Sequence, residues 1–452
     1  MLISSFKKNN QSNIKKLFLV LVGLFSFSNV YADVTQNPRP FTVLQVEPKE
    51  PPLIPYDSKK SFIEQIAVHG KLRLHQFVRD YAKLSDQSSL TFAGGLNFLT
   101  PTIFKYFQAN ASFYTEESLH LSGGDSRRID PSLPPKAVNV VGQSYLQFRS
   151  ETLLFRAGNQ LINTPWMNAA DSREIPATFT ALYGKYSPVK NIDFIFLRAF
   201  AFKERISSQF TRTNLYNSSS DGTSIPGLGS TTDSGALAFG LQGGNPERGA
   251  KVWYYQFYDF SKLFYVDGTY KFPKNASSLR WFFSGQALYE TADGKDDINR
   301  VTGKTVGSSA LGALVGVETP SAEFSVGYNY IPTRVNGFNG GGIVSPYTSG
   351  YVSDPLYTKS MIAGLVEKGA GQAFKLTAIF YRLEKQLQIE SSFAYYYTTP
   401  HLHNTNEFDL DIEYAFKGKL KGFYIRNRIG ILNGNQVTGT FVFNRVMLQY
   451  VF

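Results

Sequence analysis

The sequence predicts an all-β protein: a transmembrane antiparallel β-barrel of eighteen strands with short periplasmic turns and long extracellular loops. Three observations carry this. The N-terminus has the lysines, the short apolar run and the small-residue cleavage site of an export signal. From residue 67 to the end, segments of roughly ten residues alternate apolar and polar side chains, the length a tilted strand needs to cross a bilayer. The connections between those segments are tight in some places and long in others.

The export signal comes first. Lys7, Lys8, Lys15 and Lys16 precede the apolar run 17–25, and Val30-Tyr31-Ala32 places small residues where a signal peptidase reads. Residues 1–32 therefore read as a secretory signal, with a mature chain starting at Asp33. An anchoring helix is the rival, but the run is about ten residues against the ~20 that a spanning helix needs. After residue 32 no stretch approaches ~18 consecutive apolar residues, so the strands must do any crossing. There is no cysteine, which excludes a disulfide framework, a thiolate nucleophile and a zinc–thiolate site. Cleavage removes four lysines and no acidic residue, taking the formal charge from +11 to +7. In an exported chain that charge fits an anion-attracting pore or a lipopolysaccharide-facing surface better than nucleic acid.

Residues 33–66 hold Pro38, Pro40, Pro48, Pro51, Pro52 and Pro55. Such a stretch cannot donate a full ladder of backbone hydrogen bonds, and it reads as a Pro-rich periplasmic arm or linker outside the barrel. The barrel then occupies 67–452. In its first strand Lys71, Arg73, His75 and Arg79 alternate with Leu72, Leu74 and Val78. Strand patterns follow at 92–98, 103–114, 141–149, 153–160, 178–186, 193–202, 236–242, 251–260, 263–272, 278–289, 310–317, 322–331, 374–382, 387–397, 407–416, 420–431 and 442–452. In the last, Val442, Val446, Leu448, Tyr450 and Phe452 share one face, and Phe443, Arg445, Met447, Gln449 and Val451 the other. A nineteenth candidate at 361–366 alternates poorly. Parity also excludes it, because both termini of such a barrel lie on the periplasmic side; the segment is expected in a loop.

Tight connections fall at 150–152, 188–190, 273–275, 320–321 and 417–418, and long ones at 117–140, 161–177, 205–235, 291–308 and 333–360. The 27 tyrosines and 38 phenylalanines suit interfacial girdles. A soluble sandwich or an exported propeller is the structural rival; a lipid-exposed sheet, by contrast, must close on itself.

Eighteen strands enclose a water-filled lumen, so function turns on what narrows it and what charge lines it. In the third outer connection, Pro165, Trp166 and Met167 form an apolar anchor beside the triplet Asp171, Ser172 and Arg173. The anchor suits packing on the wall and the triplet suits the channel. An ordinary surface loop with a solvated charge pair explains the spacing as well. This stretch, with Asn163 or Asn168, then Asp171-Ser172-Arg173, then Pro176-Ala177-Thr178-Phe179, resembles the constriction loop of the OprD family of outer-membrane porins. Residues 72–80 resemble the family's first strand with its spaced arginines, and 407–428 its late acidic strand, Lys-Gly turn and Arg-x-Arg strand. Glu174-Ile175 replaces the aliphatic pair usual before the proline, and 205–235 has no evident counterpart. The resemblance implies passive, charge-selective diffusion of amino acids, small peptides or carboxylates. It also implies a pore constriction at Asp171, Ser172 and Arg173, and a monomer or weak homotrimer.

Alternation points Lys71, Arg73, Arg79, Arg149, Arg156, Arg426, Arg428 and Arg445 inward, and closure would gather those of strands one, seventeen and eighteen. Guanidinium groups pair bidentately with carboxylates and stay charged. In the OprD family such a ladder guides carboxylate solutes, a role implied here by resemblance; inward arginines that merely satisfy lumen acids are the alternative. Glu407, Asp409, Asp411 and Glu413 form an acidic row on the lumen face. With a turn at Lys417-Gly418, Asp409 would face Arg426 and Glu407 would face Arg428, leaving Arg73, Arg79, Arg173 and Arg445 freer for solute.

The five histidines, His69, His75, His120, His401 and His403, form no metal set; the last two are near in sequence but lack a third ligand. No nucleophile elbow, zinc-protease or phosphate-loop motif occurs. No cofactor, metal or enzymatic activity is expected. The expected partners are outer-membrane lipid, lipopolysaccharide and small solutes. A barrel enzyme and a plugged adhesive or structural barrel remain the alternatives.

Overall fold

The computed structural model describes residues 53–119, 130, 133, 136–217, 224–229, 233–274, 278–398 and 404–452. The expected signal peptide, residues 33–52 of the Pro-rich segment, and His120, His401 and His403 lie outside them. From Ala67 the chain forms eighteen antiparallel strands: β1 (Ala67–Tyr81), β2 (Gln87–Leu99), β3 (Phe107–Ser118), β4 (Val138–Arg149), β5 (Leu153–Gln160), β6 (Thr178–Val189), β7 (Ile192–Lys203), β8 (Ala236–Asn245), β9 (Arg248–Phe257), β10 (Ser261–Lys271), β11 (Arg280–Ala292), β12 (Gly307–Glu318), β13 (Ala322–Ile331), β14 (Gly371–Arg382), β15 (Leu387–Thr398), β16 (Thr405–Ala415), β17 (Phe423–Asn435) and β18 (Gly439–Val451). Each pairs with its sequence neighbours, and β18 returns to β1 with Tyr450 opposite Leu72 and Val446 opposite Gln76. The sheet has no open edge, so no edge row of backbone groups is left for lipid.

The alternation that predicted the strands sets their faces. Outward positions are apolar and exposed, among them Phe239, Leu241, Phe264, Phe283, Val315, Leu376, Phe393 and Leu448. At the lower end, where β1 begins and β18 ends, aromatic pairs ring the wall: Phe423–Tyr450 (4.3 Å), Tyr414–Phe416 (4.8 Å), Tyr270–Phe272 (5.0 Å) and Phe107–Phe148 (5.3 Å). This is the interfacial girdle of a membrane barrel. No helix among the described residues is long and apolar enough to cross a membrane.

Two sequence expectations shift. The third strand begins at Phe107 rather than 103, because Phe104 and Lys105 adopt positive φ in the preceding turn. The 416–422 turn is wider than a Lys417-Gly418 hairpin: it holds a short 3-10 segment, Gly418–Leu420, and closes with Phe416 N donating to Phe423 O. Arg428 therefore faces Asp411, and Arg426 faces Glu413. The expected partners Asp409–Arg426 and Glu407–Arg428 do not form; Asp409 faces Gly430.

The upper connections are of two kinds. Those at 82–86, 258–260 and 436–438 are tight, whereas 119–137, 161–177, 204–235, 293–306 and 332–370 are long. The candidate strand at 361–366 belongs to the last of these and contributes to a short helix, Leu365–Lys368. Residues of 161–177, 204–235 and 332–370 pack with the inner wall into one cluster that includes Trp166, Leu215, Trp253, Tyr255, Tyr347 and Leu365. Gly240 makes room for it, because a Cβ there would lie 2.7 Å from the Trp253 indole. Gly240→Ala is expected to displace Trp253 from its stack on Tyr255 (5.5 Å) at a cost of about 1–3 kcal/mol. Thermal unfolding of the barrel in detergent should shift downward, and an unmoved midpoint would contradict this packing.

Candidate functional site

The 161–177 connection crosses the lumen. It leaves the wall through a two-residue hairpin, Asn163–Thr164 against Met167–Asn168. The fully buried Trp166 then packs edge-on to Tyr265 at 5.9 Å, and its backbone N–H donates to the Tyr255 hydroxyl (3.4 Å). The apolar anchor is thus on the wall, and the inward reading of this loop is the one the chain adopts.

Its charged part reaches the opposite wall at the β18–β1 seam. Asp171 accepts from Lys71 Nζ (2.8 Å) and from Arg73 (3.2 Å). The Arg173 carbonyl also accepts from Arg73, whose remaining donors go to Gln449 (2.8 Å). Burial pushes the Asp171 carboxyl up, but Lys71 and Arg73 outweigh it and hold the group below the usual carboxylate range. Three residues on, Glu174 meets His75 Nδ1 at 3.1 Å and accepts from Thr91. Burial again pushes up, and His75 and Thr91 bring it below the ordinary value. The Ser172 carbonyl faces Arg445 (3.4 Å), and its hydroxyl accepts from Arg205 (3.3 Å).

Between loop and seam lies a cavity of about 10 Å³, lined by Arg73, His75, Asp171, Ser172, Arg426, Arg428, Arg445 and Met447. It has room for about one water. Four members of the expected basic track therefore converge, with Lys71 attached through Asp171. Arg79 lies above them and pairs with Asp130 at 2.6 Å. Arg149 and Arg156 do not line the cavity. They stand four strands round the wall, where Arg156 donates to Gln147 (2.7 Å) and lies over Tyr145.

The guanidinium groups differ in what they already hold. Arg426 grips Asp411 with two bonds (2.7 and 2.5 Å), and Arg428 shares that carboxylate at 3.2 Å. Glu413 is 3.7 Å from Arg426. Arg73 and Arg79, expected to be freer, are bound to Asp171 and Asp130. Those acids arrive from loops, which strand alternation does not place. Arg445 is buried between Phe443 (3.7 Å) and Phe77 (4.7 Å), its Nε meets no acceptor, and no carboxylate of a described residue lies within ion-pair distance. Arg173 also lies over Phe77, at 5.3 Å.

The acidic row points inward as expected but divides. Asp411 and Glu413 meet the arginines. Glu407 and Asp409 instead accept backbone N–H groups of the 332–370 loop, from Ile362 (2.7 Å), Ala363 (2.9 Å) and Met361 (3.2 Å). Four polar contributors were not singled out from sequence: Glu174, Arg205, Gln449, and His75 as a ligand of Glu174. His75 and Gln449 carried a signal, their places on the inward faces of β1 and β18. Among the described residues no group of acidic or histidine side chains could hold a metal ion.

No family model matches the sequence, and no curated protein sequence matches it. Solved structures do. Pseudomonas aeruginosa OccK9 (OpdG) aligns with a TM-score of 0.71 at 16% identity, covering 87% of this chain and all of that one. A BenF-like porin from Pseudomonas fluorescens Pf-5 aligns at 0.72 and 13%, again covering 87% and 100%. The chain has the porin fold. Pseudomonas aeruginosa OpdK, solved with vanillate, aligns at 0.68 and 14% with the same coverage. Within this porin fold, the crossing loop meets the arginine-lined seam inside the lumen.

Proposed function

We propose that the chain is an outer-membrane channel through which small hydrophilic solutes bearing a carboxylate diffuse passively, selected by charge and size. The observation that carries this reading is the constriction itself. One buried guanidinium without a carboxylate partner, Arg445, stands beside Arg428, Arg426 and Arg73 at the point where Asp171-Ser172-Arg173 meets the seam. Planar guanidinium groups bind carboxylates with two parallel bonds, and a low-dielectric wall strengthens their field. Two of the similar structures were solved with vanillate and with glucuronate, a chemistry this constriction suits. Lys71, Arg79, Arg149 and Arg156 serve as outlying parts of the basic track.

Reversal potentials across a planar bilayer under a potassium chloride gradient test the proposal. Anion selectivity is expected, with monocarboxylates competing for the current; cation selectivity overturns it. Charge reversal of Arg173 should lower carboxylate flux more than reversal of Arg428, which Asp411 already occupies; equal or inverted losses argue against the assignment. The packed upper lumen favours a second reading, a plugged barrel with an adhesive or structural role. A purified protein that inserts but conducts only at background would establish that instead.

A further inference from the structure

The longest upper connection, 332–370, sits inside the barrel, and its attachment is unusual. Every hydrogen bond between residues 356–363 and the wall, among the described residues, runs through a wall side chain. Glu407 and Asp409 on β16 accept the N–H groups of Met361, Ile362 and Ala363. Tyr396 on β15 donates to the carbonyls of Thr358 (2.7 Å) and Ala363 (2.9 Å), and Lys375 on β14 donates to that of Lys359 (2.7 Å). Asn329 on β13 accepts from Thr358 N (3.0 Å). The Ile362 side chain lies over Gly430 of β17, where an added Cβ would stand 2.9 Å from Ile362 Cδ1.

A segment held by a backbone ladder is part of the sheet. A segment held by side chains in a lumen can exchange those bonds for water at a small net cost per bond. The arginine cavity has room for about one water; Leu356, Ala363, Leu365 and Val366 of this segment are buried in the cluster shared with the inner wall and the 161–177 loop, so withdrawing it would free space beside that loop. Loop motions on the scale of such a segment fall in the nanosecond to millisecond range.

We propose that residues 356–368 form a removable plug, latched by Glu407 and Asp409, whose withdrawal opens the lumen. The proposal rests on the channel reading. It assigns half of the acidic row to gating rather than to neutralising the arginines.

The absence of cysteine permits a clean test. Ile362→Cys with Gly430→Cys places two thiols where plug and wall touch. The pair is expected to form a disulfide under mild oxidant. Oxidation should then cut carboxylate flux and opening frequency at least tenfold, with recovery in reductant. Equal conductance in the two states overturns the latch, and so does failure of the disulfide to form in folded protein. Should the pair not fold, Glu407→Gln with Asp409→Asn approaches from the other side. It should raise opening frequency at least threefold, and an unchanged frequency overturns the proposal. A variant with 343–368 replaced by a short Gly-Ser bridge separates the two readings. If neither it nor the native protein conducts, the channel reading fails; if it conducts while cross-linking has no effect, only the latch fails.

Discussion

Arg445→Glu is expected to lower carboxylate flux by about tenfold or more and to move the reversal potential toward cations, with the barrel still folded. Arg445 lies on β18 with its guanidinium between two phenylalanine rings, facing the cavity. Asp411 already takes Arg426 and Arg428, and Asp171 takes Arg73. Reversal replaces one positive charge with one negative. For a solute carboxylate about 6 Å away in a water-like dielectric, a change of two unit charges amounts to about 1.4 kcal/mol, or tenfold. Exclusion of water from the constriction enlarges it. The new carboxylate has Arg173, Arg428 and Arg79 as neighbours, so it is not stranded. Arg445→Lys should fall between, because a lysine keeps the charge but loses the planar fork. Single-channel recordings with benzoate or glucuronate as the only anion measure this directly, and native flux through Arg445→Glu would remove Arg445 from the selectivity element.

The barrel was legible because its signal is local. Strands 153–160 and 322–331 lie where alternation puts them, since side-chain direction in a strand depends on parity alone. The inward faces of β1, β16, β17 and β18 follow the same rule, which is why Arg73, Asp411, Arg428 and Arg445 could be named as lumen residues. Register across a turn is less legible. Lys417 to Gly422 can close as a two-residue hairpin or as the wider turn observed, and the choice decides whether Asp409 or Asp411 meets the arginines. What lies on the lumen face is least legible. Asp171, Asp130 and the backbone of 361–363 come from long connections whose path is fixed by tertiary packing around Trp166 and Tyr347, and that packing leaves no periodic trace.

The plug should loosen as pH rises from about 5 to 8. Asp354, two residues before it, and Glu367 within it approach each other across Gly364, with Asp354 Oδ2 and Glu367 Oε2 buried and without a hydrogen-bond partner. Lys359 of the plug faces both carboxyls and Lys368 faces Glu367; from the wall, Lys375 and Arg428 face Lys359, and Glu407 faces Lys368. Burial, then the neighbouring Asp354, pushes Glu367 up to about 8, and burial raises Asp354 as well. A withdrawn plug returns both to the ordinary carboxylate range. The seated form therefore binds more protons across that window. Its stability is greatest below the ordinary carboxylate value and declines as pH climbs through the seated one, by at most tenfold per pH unit for one proton. Burial acts oppositely on Lys359, which it pushes down; that effect favours the seated plug as pH rises and so works against the trend set by the two carboxyls. Open probability measured from pH 5 to 8 should rise and then level. Asp354→Asn with Glu367→Gln should flatten the profile by removing the titrating pair while keeping its volume. A native profile that is flat, or one the double variant leaves unchanged, would show that these carboxyls do not govern the seating of the loop.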